Sequence, residues 1–305
     1  MVAILQAVFS GLALGGIYAL VALGFNITHN TTKTFNFGQG EFLVVGAFVA
    51  VSAVLLLSGK GVTGSLQPGD VTFLRYGASL VISIAVLGVL GVLLYYAAVR
   101  PFIGVGGLAW VMSTIGFGII IQNTALAIWG PSPMVMPSPM GGQVIRIAGA
   151  GVLPQEILVL VSSIVVMLCL DLVMRRTKIG KAVRAVAQSH SAATLMGINV
   201  SAVVVLAFVV SSSLAGLAGL LIAPITTASV FMGLTLALKA FSAAIVGGLN
   251  NARGCMLGGF LLGLLEALIG LWHAELREIS IFLLIILVLV LKPEGLLGQR
   301  QSEKV

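Results

Sequence analysis

The chain has 305 residues, 59% hydrophobic and only 8% charged, where an ordinary soluble domain carries about 25% charged residues. With 16 basic and 9 acidic side chains it cannot coat a water-soluble globule of this size, so the solvent its composition implies is lipid. The net charge of +7 and pI of about 9.8 come from basic residues that punctuate apolar runs rather than form a stripe interleaved with aromatics. That pattern excludes a nucleic-acid face and matches the loops of a membrane protein.

At about 20 residues per span, the length suits about eight to ten crossings in one polytopic, all-α domain covering 1–305. Apolar runs fall at 2–25, 38–58, 78–99, 107–130, 154–174, 200–224, 236–249, 254–272 and 279–292. The runs 236–249 and 279–292 are short of a full crossing and read as tilted, re-entrant or discontinuous helices, so eight and nine spans both stand. The first run lacks a basic leader and an Ala-x-Ala site, and reads as a span rather than a removable signal. The polar stretches 26–40 and 226–239 read as interruptions of helices. Segments 59–77 and 131–153, the latter with Pro131, Pro133, Pro137 and Pro139, read as turns and short surface elements. Gly11 with Gly15, Gly254 with Gly258, and Gly259 with Gly263 are small residues four apart, the spacing that lets membrane helices approach closely. Cys169 and Cys255 read as small free hydrophobes.

Orientation follows from charge. Arg175, Arg176, Lys178, Lys181 and Arg184 stand together without an acid, which makes 175–197 a cytoplasmic loop. Alternation places Arg100 and the tail, with Lys292, Arg300 and Lys304, on the same side, against Lys60, Arg75, Arg146 and Arg277 on the other. If all nine runs cross, Lys33 and Arg253 join the cytoplasmic set and the N-terminus lies outside.

No catalytic constellation is present: there is no His-Glu-x-x-His, Cys-x-x-Cys or Gly-x-Ser-x-Gly, and the three histidines are scattered, so neither catalysis nor a metal site is expected. There is no phosphate-binding Gly-x-x-x-x-Gly-Lys-Ser/Thr either, and any coupling to ATP must come from a partner. The stretch 175–199 can form one or two short amphipathic helices, with Gly180 and Gly197 as breakers. It is either a basic loop resting on anionic lipid or a docking element for a cytoplasmic partner.

Ionisable or polar groups at membrane depth are functional candidates by default. Glu41 either caps the broken start of its helix or lines a path, and Lys239 either snorkels to the interface or lines the path. Thr114, Gln122 and Asn123 share the fourth run, with Thr114 and Gln122 on a common face, and serve interhelical hydrogen bonds or the path. Glu266 pairs with a basic residue of a neighbouring helix, and Asp171 with Arg175 one turn on.

Four ordered motifs carry a resemblance. Gly180-x-x-x-Arg184-Ala185, then Ala192 or Ala193, then Gly197-Ile198-Asn199, resembles the cytoplasmic coupling segment of permeases in the branched-chain amino acid ABC importer family. Asn36-Phe37-Gly38-Gln39-Gly40-Glu41 is similar to that family's Asn-Phe-Ala-His-Gly-Glu, the run 240–249 to its Gly-Gly segment, and 292–298 to its C-terminal ending. The resemblance covers nearly the whole chain and fits the LivH-type permease better than the LivM-type.

The resemblance implies a non-enzymatic transmembrane permease subunit in a bacterial inner membrane. It implies coupling through Gly180, Arg184, Ala185, Ala192 and Gly197, and a pathway touching Asn36, Gln39, Glu41, Thr114, Gln122, Asn123 and Lys239. The implied partners are a LivM-type permease, two ATPases that use ATP and Mg, a solute-binding protein and membrane lipid; this chain itself holds no cofactor. Gly38 and Gln39 replace the family's Ala-His, which leaves urea, short amides or aromatic acids as alternative solutes. A self-sufficient channel or secondary transporter would need a filter or coupling-ion site, and no such motif is seen.

Overall fold

The computed structural model describes residues 2–102, 109–147 and 149–298, and is built almost wholly of helices. Arg300 and Lys304, counted above with the tail, lie outside the described residues. In chain order the helices are α1 (Val2–Thr32), α2 (Gln39–Leu57), α3 (Phe73–Leu94), α4 (Ala109–Trp129), α5 (Pro154–Arg176), α6 (Lys178–Gln188), α7 (His190–Leu195), α8 (Val200–Ile222), α9 (Gly233–Gly247), α10 (Ala252–Gly270) and α11 (Leu276–Leu291). Eight segments among the described residues are long and apolar enough to cross a membrane: α1, α2, α4, α5, α8, α10, and the extended Phe73–Phe102 and Val230–Gly247 that contain α3 and α9. The counts of eight and nine differ only in α11, whose 16 residues span about 24 Å.

The bundle has two distinct ends. One, the basic end, carries α6 and α7. There His190 Nε2 meets the Thr31 carbonyl at the end of α1, and Tyr95 Oη bonds Ser201 Oγ at the start of α8. Asp171 near the end of α5 bridges both Arg175 and Arg253, each at 3.0 Å. Lys33 and Arg253 therefore join the charged group of 175–184, and the helical start of the chain, with Val2 beside Gly149, lies at the other end.

That other end, the loop end, holds the 58–72 connection and a two-stranded hairpin, β1 (Ile145–Ile147) paired antiparallel with β2 (Ala150–Val152). Lys60 and Asp70 pin the connection at 2.5 Å, and this hydrogen bond holds the Asp70 carboxyl below the usual range, helped by the Gln67 amide.

One expectation is corrected here. The first helix does not break at 26 but runs to Thr32, and the interruption is confined to 33–38. The polar residues 26–32 are helical because their side chains find partners: Thr28, Thr31 and Thr32 donate to carbonyls one turn back, and the Asn26 amide donates to the Leu249 carbonyl at 2.5 Å. Lys33 then takes a left-handed φ of 58°, which ends the helix.

Helices α1 and α2 form the centre of the bundle, with Ile17, Leu20, Phe42 and Phe48 fully enclosed. In lipid there is little hydrophobic drive between helices, so close backbone approach supplies the packing. Helices α1 and α10 meet along Gly11, Gly15, Gly259 and Gly263: a Cβ on Gly259 would lie 2.5 Å from the Ala19 backbone, and one on Gly263 2.3 Å from the Gly15 nitrogen. On the other face of α10, Gly254 and Gly258 sit equally close to α9.

This seam makes a prediction. Gly259→Leu forces α1 and α10 apart, beyond the roughly 1–3 kcal/mol of an ordinary overpacked core, so the detergent-solubilised protein should lose its single monodisperse peak in size-exclusion chromatography. Gly116→Leu, where nothing lies within 4 Å of the added carbon, should keep that peak.

Candidate functional site

The site grows from the interruption between α1 and α2. In the segment 33–38 the Asn36 Oδ1 accepts from the Gly38 amide at 3.0 Å, closing a tight turn, and the Asn36 Nδ2 donates to Gln39 Oε1 at 3.2 Å. Gln39 then locks onto α8: its Nε2 donates to the Ser211 carbonyl at 3.0 Å and its Oε1 accepts from Ser211 Oγ at 3.1 Å. Ser211 stands halfway along α8, so α2 begins near the middle of the bundle rather than at its basic end.

Helix α9 begins at the same depth. The chain leaves α8 at the loop end, pairs Ala228 with Met134, and turns inward through Val230–Met232 to start α9 at Gly233. Gly233 lies directly against Gly40, where a Cβ on Gly40 would sit 2.3 Å from the Gly233 oxygen. Helix α4 closes the third side, with the Thr114 carbonyl and Gly118 against Gly38. Two helix beginnings and the middle of a third helix thus converge.

Glu41 occupies this junction. A Cβ on Gly118 would be 3.5 Å from its Cγ and one on Gly233 3.0 Å from its Oε1, so its side chain lies between α4 and α9. It does not cap its helix through the Gly38 amide, because Asn36 already accepts that hydrogen. Its Oε2 is enclosed and has no hydrogen-bond partner among the described residues. As an acid in the first turn of α2 it is favourably placed in the helix field. Within a few residues of Gly118 and Gly233 in sequence, Ile115 and Ile119 of α4 and Leu234 and Leu238 of α9 are exposed apolar residues.

Toward the basic end the junction is floored by aromatic rings. Phe35 and Phe37 of the 33–38 segment meet Phe241 of α9 with centroids 5.1 and 6.1 Å away, Phe25 of α1 packs on Phe241 at 5.5 Å, and His29 stacks on Phe35 at 4.7 Å. Of these rings Phe37 is the exposed one. This cluster, and the meeting of α2 with α9, were not apparent from the sequence; the recurrence of Phe on both sides of the break was the available signal.

The other sequence-selected residues separate into two groups. Asn36, Gln39 and Thr114 are fully enclosed, and Lys239 is buried with 9% of its surface exposed. Thr114 Oγ1 donates within α4 to the Val111 carbonyl. Gln122 is half-buried, its Nε2 donating to the Val230 carbonyl at 3.5 Å, which ties α4 to the turn before α9. Asn123 is exposed and bonds its own helix at Ile119.

Lys239 belongs to a separate buried network on the far side of α9. Its ammonium donates to Glu266 Oε1 of α10 at 2.8 Å, and Tyr18 of α1 donates to Glu266 Oε2 at 2.7 Å. Arg277 and Glu278 of α11 stand at the edge of the network, 3.8 Å from Glu266 and 4.0 Å from Lys239. The pairing expected for Glu266 is present, and Lys239 is its partner. An ion pair at this depth satisfies both charges and joins α1, α9, α10 and α11.

At the basic end, α6 and α7 form two short capped helices. Thr177 accepts from the Gly180 amide, Ser189 from the Ala192 amide, and Asn199 from the Ala202 amide at the start of α8. Gly180 is not a breaker: it lies in the first turn of α6, where a Cβ would be 2.1 Å from the Met174 carbonyl, so α6 folds back tightly on α5. Arg184 donates to that same carbonyl. Gly197 does end α7, with a φ of 78°. Ala185 is half-buried and Ala192 exposed. Leu195 and Met196, 88% and 82% exposed, project beside the basic residues of α6.

This architecture, a multi-pass all-α bundle with interrupted helices meeting at mid-depth and a capped basic element at one end, defines a membrane permease. The family model described as branched-chain amino acid transport system / permease component matches residues 7–291, and the chain belongs to this family. It is 31% identical to the high-affinity branched-chain amino acid transport system permease protein LivH of Escherichia coli K12, over 99% of this chain and 97% of that protein. It is equally 31% identical to BraD of Pseudomonas aeruginosa, a permease protein of the same description, over 99% and 98%. A probable LivH of Methanocaldococcus jannaschii is 27% identical over 92% of this chain and 88% of its own. No solved structure matches the chain significantly.

The buried network gives a second prediction. Glu266→Gln leaves the Lys239 charge enclosed without its counter-ion and should destabilise the protein by about 3–5 kcal/mol. Adding Lys239→Met to that variant should restore most of the loss. Thermal unfolding of the two variants in detergent checks this, and equal melting temperatures for them would contradict it.

Proposed function

We propose that this chain is the membrane-spanning subunit of an ATP-driven importer that carries branched-chain or closely related amino acids. In this reading it pairs with a second, LivM-type permease, two cytoplasmic ATPases that bind ATP and Mg, and a solute-binding protein outside the bacterial inner membrane. The basic end is the cytoplasmic one, as the concentration of Arg and Lys there favours.

The observation that carries the proposal is the α6–α7 element. It is tied to the permease core at both ends yet offers Leu195, Met196 and the basic residues Lys178, Lys181 and Arg184 to the outside. A surface loop resting on lipid has no need of three successive side-chain caps and a glycine fitted to a carbonyl. A rigid lever does.

The connections suggest how motion is transmitted. His190 holds the end of α1 at 2.7 Å, and the next residues of the chain are the 33–38 segment that carries Phe35 and Phe37. A shift of α7, driven by ATPase closure, would pull on the aromatic floor and on the start of α2. The buried brace from Gln39 to Ser211 keeps α2 attached to α8, so α8, which follows α7 directly, moves with it. Exchange between outward-facing and inward-facing states then needs only small rotations of packed helices.

In vesicles holding the full assembly, ATP should drive uptake of labelled leucine when the binding protein is supplied outside. Arg184→Glu should abolish co-purification of the ATPase and reduce uptake to background, while membrane insertion stays as in the wild type. Full uptake by that variant would contradict the coupling role.

A further inference from the structure

We propose that Glu41 is the station that receives the ammonium group of the solute midway through the passage, selecting zwitterionic amines with an apolar side chain over neutral amides. The proposal rests on the import reading above and names the chemistry of its path. Glu41 stands where α2 begins, and it forms no ion pair among the described residues. The nearest intramembrane cation along α9, Lys239, is already engaged by Glu266 on the opposite face of that helix. One Glu41 oxygen is enclosed without a hydrogen-bond partner.

A carboxylate held at membrane depth with unused acceptor capacity is costly unless something occupies it. The neighbouring contacts are made by other residues: Asn36 accepts the Gly38 amide, and the packing of α2 on α9 is made by Gly40 and Gly233. The surroundings fit one kind of visitor. Gly118 and Gly233 flank the Glu41 side chain without side chains of their own, and their near neighbours in sequence, Ile115 on α4 and Leu234 and Leu238 on α9, are exposed hydrocarbon, as is Phe37 of the preceding segment. An ammonium on an apolar body matches both features: the charge pairs with the carboxylate, and the body meets the hydrocarbon rim. Urea and simple amides offer neither the charge nor the body. The single carboxylate also suits a transit site, because one charge-assisted contact holds the solute loosely enough to release it.

The test uses the reconstituted assembly and reads leucine uptake and binding-protein-stimulated ATP hydrolysis in the same vesicles. Glu41→Gln keeps the shape and removes the charge. It should lower leucine uptake per ATP by about tenfold or more, the value of a charge-assisted hydrogen bond, while hydrolysis stays at the wild-type rate; Glu41→Asp should recover part of the uptake. Uptake per ATP unchanged in Glu41→Gln would overturn the proposal. So would the joint loss of hydrolysis and uptake in both variants, which would assign Glu41 to bracing the helix junction. Wild-type vesicles that accumulate no leucine with ATP would instead overturn the import reading itself.

Discussion

A helix that starts halfway across a membrane exposes amide hydrogens that lipid cannot satisfy, and this constraint organises the whole structure. Both α2 and α9 begin at mid-depth, and the residues between them hold those beginnings together. Asn36 takes the Gly38 amide, Gln39 is locked to Ser211, and Gly40 and Gly233 bring the two helix starts into backbone contact. Helices α4 and α8 cover the remaining sides. The junction is therefore a protein-lined interruption, the kind of place where a membrane protein can keep polar backbone and still exclude lipid.

The same constraint explains where charge is found. The most deeply enclosed charges are paired. Lys239, Glu266 and Tyr18 cancel within a network that ties the last three helices to α1. Glu41, half-buried, forms no ion pair among the described residues, and it sits at the junction of the two interrupted helices. At the basic end the charges face outward instead, on two helices fixed by caps, and His190 of α7 meets the end of α1 just before the segment that carries the aromatic floor.

Much of this was legible in the sequence, because lipid imposes a simple code: a crossing requires a long apolar run, and each of the nine runs became a helix. The glycine pairs of the first and tenth helices were also readable, since four-residue spacing places them on one face. What was not legible depended on partners far away in the chain. The stretch 26–32 reads as a break because it is polar, yet it is helical because its hydroxyls bond back to their own helix and Asn26 finds Leu249. Gln39 reads as a pathway residue because it is polar at depth, but its partner is 172 positions away and the pair is sealed inside. Gly180 reads as a breaker because nothing in the local sequence announces the Met174 carbonyl against which it must fit. Polarity at depth marks a residue as important without saying whether it faces a path or another helix.

A junction of α2 and α9 that borders the passage rather than lipid must be reachable from water. Cysteine substitution tests it directly, in a background with Cys169 and Cys255 replaced: Phe37→Cys and Leu234→Cys at the junction are compared with Val165→Cys, an exposed position on α5. With the complete assembly in membranes, the account predicts that a water-soluble, charged thiol reagent modifies the two junction cysteines, that ATP changes the rate, and that Val165→Cys stays unreactive. Junction cysteines as inert as the one on α5, with and without ATP, would contradict it.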